Sequence, residues 1–191
     1  MELEECIARV AAWIDAVPLD AAARGTDEIR ILNGQKDLRT ECAMATDAEL
    51  ARAAVHEAAH AVVGQRLGLH VKRVLVRSDG SGRVTLDTPE AAADQLSMAI
   101  AALAGPTTSL IVGVDRNQEH LLAHGGDVQM ARTHLGRSRE HLAVTSEGVA
   151  RISVCSVLSN WSEITRVATV LEALGELNGI EIRALATASF H

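Results

Sequence analysis

Residues 46–68, TDAELARAAVHEAAHAVVGQRLG, constrain the fold more than any other stretch of this chain. Thr46 and Glu49 make the T-x-x-E pattern of a capping box, in which each residue satisfies a backbone N–H of the other. Alanine, the best helix former, then dominates the run. Gly68 supplies the left-handed residue that ends helices. The spacing predicts one helix over 46–67.

The rest of the chain is read around that helix. Residues 2–17 place Cys6, Ile7, Val10, Trp13, Ile14 and Val17 at 3–4 spacing, an amphipathic helix stopped by Pro18. Residues 18–45 are of mixed polarity with turn signals, so 1–45 read as an N-terminal helical arm. Residues 70–77 and 83–87 flank the turn Asp79-Gly80-Ser81-Gly82 and predict one small β-hairpin. Thr88-Pro89-Glu90 reads as the start of a helix to about residue 104, broken by Gly105-Pro106, with a short apolar helix over 107–112. Residues 113–126 read as a loop and 127–142 as a helix. A long helix from 146 to about 177, interrupted near Ser159-Asn160, precedes an Asn178-Gly179 turn and a last helix over 180–188. The expected class is mainly α (α+β) with one small hairpin.

Composition narrows the function. The formal charge is −7, the aromatic content 2%, and only Lys36 and Lys72 are lysines. A nucleic-acid platform needs basic grooves and stacking rings, so no nucleic-acid partner is expected. No stretch approaches 18 apolar residues and the first residues are acidic, so neither a membrane span nor a signal peptide is expected. Cys6, Cys42 and Cys155 are odd in number and form no C-x-x-C, which fits reduced thiols and a cytoplasmic location. No G-x-x-x-x-G-K-[ST] occurs, so the chain has no P-loop.

The chemistry is concentrated at His56-Glu57-Ala58-Ala59-His60, an H-E-x-x-H inside the best-defined helix. With 8 histidines in 191 residues, chance yields this pattern only about 0.03 times. Positions i and i+4 share a helix face, so both imidazoles can aim at one Zn²⁺. Glu57, one residue round, can take a proton from a zinc-activated water without ligating the metal. A third ligand must come from elsewhere, because Val63 and Arg66 stand where the longer H-E-x-x-H-x-x-G-x-x-H pattern needs Gly and His. The residues alone leave Glu90, Asp94, Asp115, Glu119, His120, His124 and Asp127 as candidates. Asp127, following Gly125-Gly126, also reads as a helix N-cap.

From about Thr46 onward the chain resembles the peptidase domain of FtsH-type zinc metalloproteases. The likeness is carried by AVHEAAHAVVG at 54–64, VKRVLVRSDGSGRV at 71–84, IAALAGP at 100–106, GGDVQMARTHL at 125–135 and the closing helices at 157–185. It covers about three quarters of the chain. Ala59 stands where the family has Gly, and Gly126 where it has Asn. The resemblance implies an FtsH-like zinc metallopeptidase domain at 46–191, with His56, His60 and Asp127 as zinc ligands and Glu57 as catalytic base. It implies a metalloendopeptidase acting on unfolded or extended polypeptide. The family's ATPase module is missing, so a separate ATPase partner and a homo-oligomer enter as further expectations. Two alternatives stay open: a non-catalytic, zinc-stabilised peptide-binding module, and a zinc hydrolase of small amides. An open groove beside the outer hairpin strand, where a peptide could add by β-augmentation, would favour the protease.

Overall fold

The computed structural model describes residues 1–16, 44–87, 91–113, 125–139 and 142–187. Among these residues the fold is mainly helical, with seven helices and a small antiparallel sheet. The order is α1 (Leu3–Ala16), α2 (Asp47–Arg66), β1 (Val71–Val76), β2 (Gly82–Leu86), α3 (Ala92–Ile111), α4 (Gly125–Arg139), α5 (Ser146–Ser159), α6 (Trp161–Leu174), β3 (Glu176–Asn178) and α7 (Gly179–Thr187). None of the described helices is long and apolar enough to cross a membrane.

The central element is α2. Its capping box is formed: the Glu49 N–H donates to Thr46 Oγ1 at 3.3 Å, and the Thr46 N–H donates to Glu49 Oε2 at 2.8 Å. At the other end Gly68 has φ 84°, a conformation that costs glycine little and other residues much. From Ala54 on, α2 is buried on nearly every side, packed by α3, α6 and the hairpin. Small side chains at Ala58, Ala59, Ala61 and Gly64 let those neighbours approach closely. The first helix turns its buried Cys6, Ile7, Val10 and Ile14 against α5, within the same apolar cluster. Cys6 is a buried free thiol and Cys155 an exposed one.

The sheet has the order β2-β1-β3, so a third strand joins the expected hairpin. Val74 lies opposite Val84 on one side and Leu177 on the other. The sequence reading carried the preceding helix to about 177 and made Asn178-Gly179 a turn. Instead Gly175, at φ 77°, ends α6, and residues 176–178 extend to pair with β1. Three residues are too few to display a period of two, and their partner lies a hundred residues earlier.

A second correction concerns Gly105-Pro106, which does not break the chain's helix. α3 runs from Ala92 through Pro106 to Ile111. Proline excludes helical backbone at the preceding residue mainly through that residue's Cβ and N–H, and Gly105 has no Cβ. Both residues are buried, and Thr108 Oγ1 donates to the Gly105 carbonyl at 2.6 Å. The helix predicted over 127–142 spans Gly125–Arg139, and the interruption near Asn160 is real: α5 and α6 are separate helices. The Thr88-Pro89-Glu90 start signal and most of residues 18–45 lie outside the described residues.

Candidate metal centre

His56, Glu57 and His60 sit in the middle of α2, where the helix passes under the start of α4, beside α3 and below β2. The two imidazoles meet edge to face, with ring centroids 4.7 Å apart and planes at 80°. Their Nε2 atoms are 3.1 Å apart. Asp127, in the first turn of α4, brings Oδ2 to 3.0 Å from His56 Nε2 and 3.6 Å from His60 Nε2. Among the described residues this trio is the one group of His, Cys, Asp and Glu side chains whose donor atoms converge.

The donor set fits zinc. Ligand bonds of about 2.0–2.1 Å at tetrahedral angles place neighbouring donors about 3.3–3.4 Å apart. The three observed separations, 3.0, 3.1 and 3.6 Å, lie close to the edge length of such a tetrahedron. Two neutral imidazoles and one carboxylate are a donor set zinc accepts, and they leave one corner open. The His60 Nδ1–H donates to the Ala101 carbonyl on α3 at 2.7 Å. In the neutral imidazole that bond fixes the tautomer, so that Nε2, the nitrogen facing the other two donors, carries the lone pair.

Gly105 explains how α3 comes so near. A Cβ at this position would lie 2.4 Å from His60 Nε2 and 2.5 Å from His56 Nε2. Ala101 and Gly105 are one turn apart on the same face of α3. One binds the near nitrogen of His60 and the other makes room for the far one. Gly82 plays the matching part above Glu57, where a Cβ would fall 2.4 Å from Cγ and 2.5 Å from Oε1.

Burial and charge set the protonation of the site. Burial pushes the Glu57 carboxyl up to about 7; the charge of Asp127 adds to this, and that of His60 opposes it. For His60, burial works against the charged form, but the charge and hydrogen bond of Asp127, the charge of Glu57 and the Ala101 carbonyl outweigh it and raise the imidazole to about 9. Burial likewise opposes the Asp127 carboxylate, yet the two histidines hold it well below the usual range. Side-chain exposure rises from His60 (9%) to His56 (14%) to Asp127 (28%), so the centre opens on the Asp127 side.

Asp127 is therefore not an N-cap: it is the third residue of α4, and its carboxylate is turned to the histidines. Of the other candidates, Asp94 is exposed on the first turn of α3 and belongs to no such group. Glu90, Asp115, Glu119, His120 and His124 lie outside the described residues. Sequence reasoning missed Gly82, Gly105 and the Ala101 carbonyl as parts of the site. It also missed a buried pair on α3 and α4, His134 Nδ1 and Gln95 Oε1, 2.6 Å apart. No family model matches the chain, and neither does any curated protein.

Proposed function

We propose that this chain is a zinc-dependent metalloendopeptidase of the H-E-x-x-H kind. The observation that carries the reading is the convergence of His56, His60 and Asp127 on three corners of a zinc-sized tetrahedron, with the buried carboxyl of Glu57 next to them on α2. Bound there, Zn²⁺ supplies Lewis acidity, polarising a peptide carbonyl and lowering the pKa of water to about 7. His56, His60 and Asp127 would hold the ion. Glu57 accepts a proton from the attacking water and passes it to the amine nitrogen as the C–N bond breaks.

The substrate we assign is extended polypeptide. Strand β2 begins directly above Glu57, and among the described residues it pairs on one side only, with β1. Its outer edge offers free backbone groups to an added strand. The free thiols of Cys6 and Cys155 support a reducing, cytoplasmic setting.

The test is cleavage of an unfolded protein such as casein by zinc-loaded wild type and by Glu57→Gln. The variant keeps every ligand but cannot take a proton. It should retain zinc and lose hydrolysis. Equal rates in the two proteins would refute Glu57 as the base.

A further inference from the structure

Side chains of β2 alternate between two faces. Gly82, Val84 and Leu86 turn toward the helices: Gly82 stands over Glu57, and Val84 and Leu86 pack on the core. Arg83 and Thr85 therefore turn to the opposite face of the sheet. There the pairing builds two rows across the strands, Arg83–Leu75–Glu176 and Thr85–Arg73–Asn178.

The described carboxylates around this face are already engaged. Glu176 is 3.5 Å from Arg73, and Leu75 separates it from Arg83 by two strand spacings, about 10 Å. Asp79, in the turn, accepts from the Ser81 N–H and hydroxyl and has Arg77 as its nearby cation. Asp87, beyond the far end of β2, is held by Lys72 and His70. Arg83 is exposed and has no ion-pair partner among the described residues. Among the described residues it is an unpaired cation on the edge strand, one residue from the glycine that covers Glu57.

We infer that Arg83 is a specificity residue that selects an acidic side chain in the substrate, one position away from the residue carried over Glu57. This rests on the peptidase reading. A strand added outside β2, running in either direction, places one residue directly opposite Arg83. Its Cβ would lie about 4.5–5.5 Å away on the same face, where opposite charges attract and like charges repel. The neighbouring residue, opposite Gly82, is turned to the helix side, where Glu57 and the two histidines lie. Glutamate or aspartate at the first position completes the ion pair that the sheet leaves open; lysine or arginine there meets a like charge.

The experiment is a set of extended peptides in which Glu, Gln or Lys is moved one position at a time along an otherwise uncharged sequence. kcat/KM is measured with zinc-loaded wild type, Arg83→Ala and Arg83→Glu. Wild type should show one position where Glu is favoured over Gln by about fivefold and Lys is disfavoured. The preference should shrink as salt rises from about 0.05 to about 0.5 M. Arg83→Ala should make the Glu and Gln peptides equal at that position, and Arg83→Glu should invert the order in favour of Lys. Cleavage by wild type with no such position, or a preference that survives in both variants, overturns the inference and leaves the peptidase reading intact. No cleavage of any peptide by wild type overturns both.

Discussion

Gly105→Ala adds one methyl group to a buried helix and should cost this protein the zinc proposed above. In an ordinary helix interior the change is stabilising by about 1 kcal/mol. Here Pro106 reduces that gain, because its ring disfavours a Cβ on the residue before it. The new carbon would sit 2.4 Å from His60 Nε2, 2.5 Å from His56 Nε2 and 2.7 Å from His56 Cε1. Ordinary contact needs about 3.5 Å, so rings and backbone must separate by about 1 Å. His60 cannot simply swing aside, since its Nδ1–H is bound to Ala101 one turn earlier on the same helix. Overpacking of this kind costs about 1–3 kcal/mol, so the metal-free protein should lose about 1–2 kcal/mol net. The effect on zinc should be far larger, because a displacement of about 1 Å is several times the ~0.2 Å tolerance of a coordination bond. Urea unfolding of the metal-free forms and competition with a chromophoric zinc chelator measure the two effects separately. The expected pair is a small loss of stability with a loss of zinc affinity of more than about 100-fold. A variant that binds zinc as tightly as wild type would refute the placement of the ion between α2 and α3.

Gly82→Ala should act on the base instead of the metal. Its Cβ would press on Glu57 Cγ, Oε1 and Cδ, and moving a catalytic group by about 1 Å can cost about 100-fold in rate. Zinc content should stay at the wild-type level while kcat falls. His134 gives a pH signature away from the metal. Burial, with a smaller push from Arg137, holds its imidazole down to about 4 from 6.5. Between those values the unfolded chain binds a proton that the folded chain does not. His134 thus contributes stability above pH 6.5 that is lost as the pH falls toward 4. His134→Gln should flatten that part of the pH–stability curve in urea titrations; an unchanged slope would show that the buried imidazole does not titrate as argued.

How much of this was legible in the sequence depends on the range of the interaction involved. α2 could be read from local chemistry, because its capping box, alanine run and Gly68 lie within 23 consecutive residues. The pairing of His56 with His60 was legible for the same reason, since helix periodicity alone puts them on one face. Asp127 was not reachable by spacing. It lies 67 residues beyond His60 and arrives through the packing of α4 on α3, so residue chemistry could only leave it among seven candidates. Gly105-Pro106 was misread because the local rule for proline is sound on average and yields here to burial and to a neighbour without a Cβ. Nothing local distinguishes a glycine that breaks a helix from one that lets two imidazoles pass. β3 was lost to the same limit, as Glu176, Leu177 and Asn178 become a strand only because β1 offers them an edge. Arg83 was plainly visible as a residue, but its isolation from Glu176 follows from the register across three strands.

The central claim is that His56, His60 and Asp127 together hold one Zn²⁺. The most direct test is the zinc content of the purified chain, wild type against Asp127→Ala, with X-ray absorption at the zinc edge. The claim predicts one Zn²⁺ per wild-type chain, bound by nitrogen and oxygen donors at about 2.0–2.1 Å with two imidazoles in the shell, and little zinc in the variant. A wild-type chain that takes up no zinc, or an Asp127→Ala variant that keeps a full equivalent in the same coordination, would contradict it.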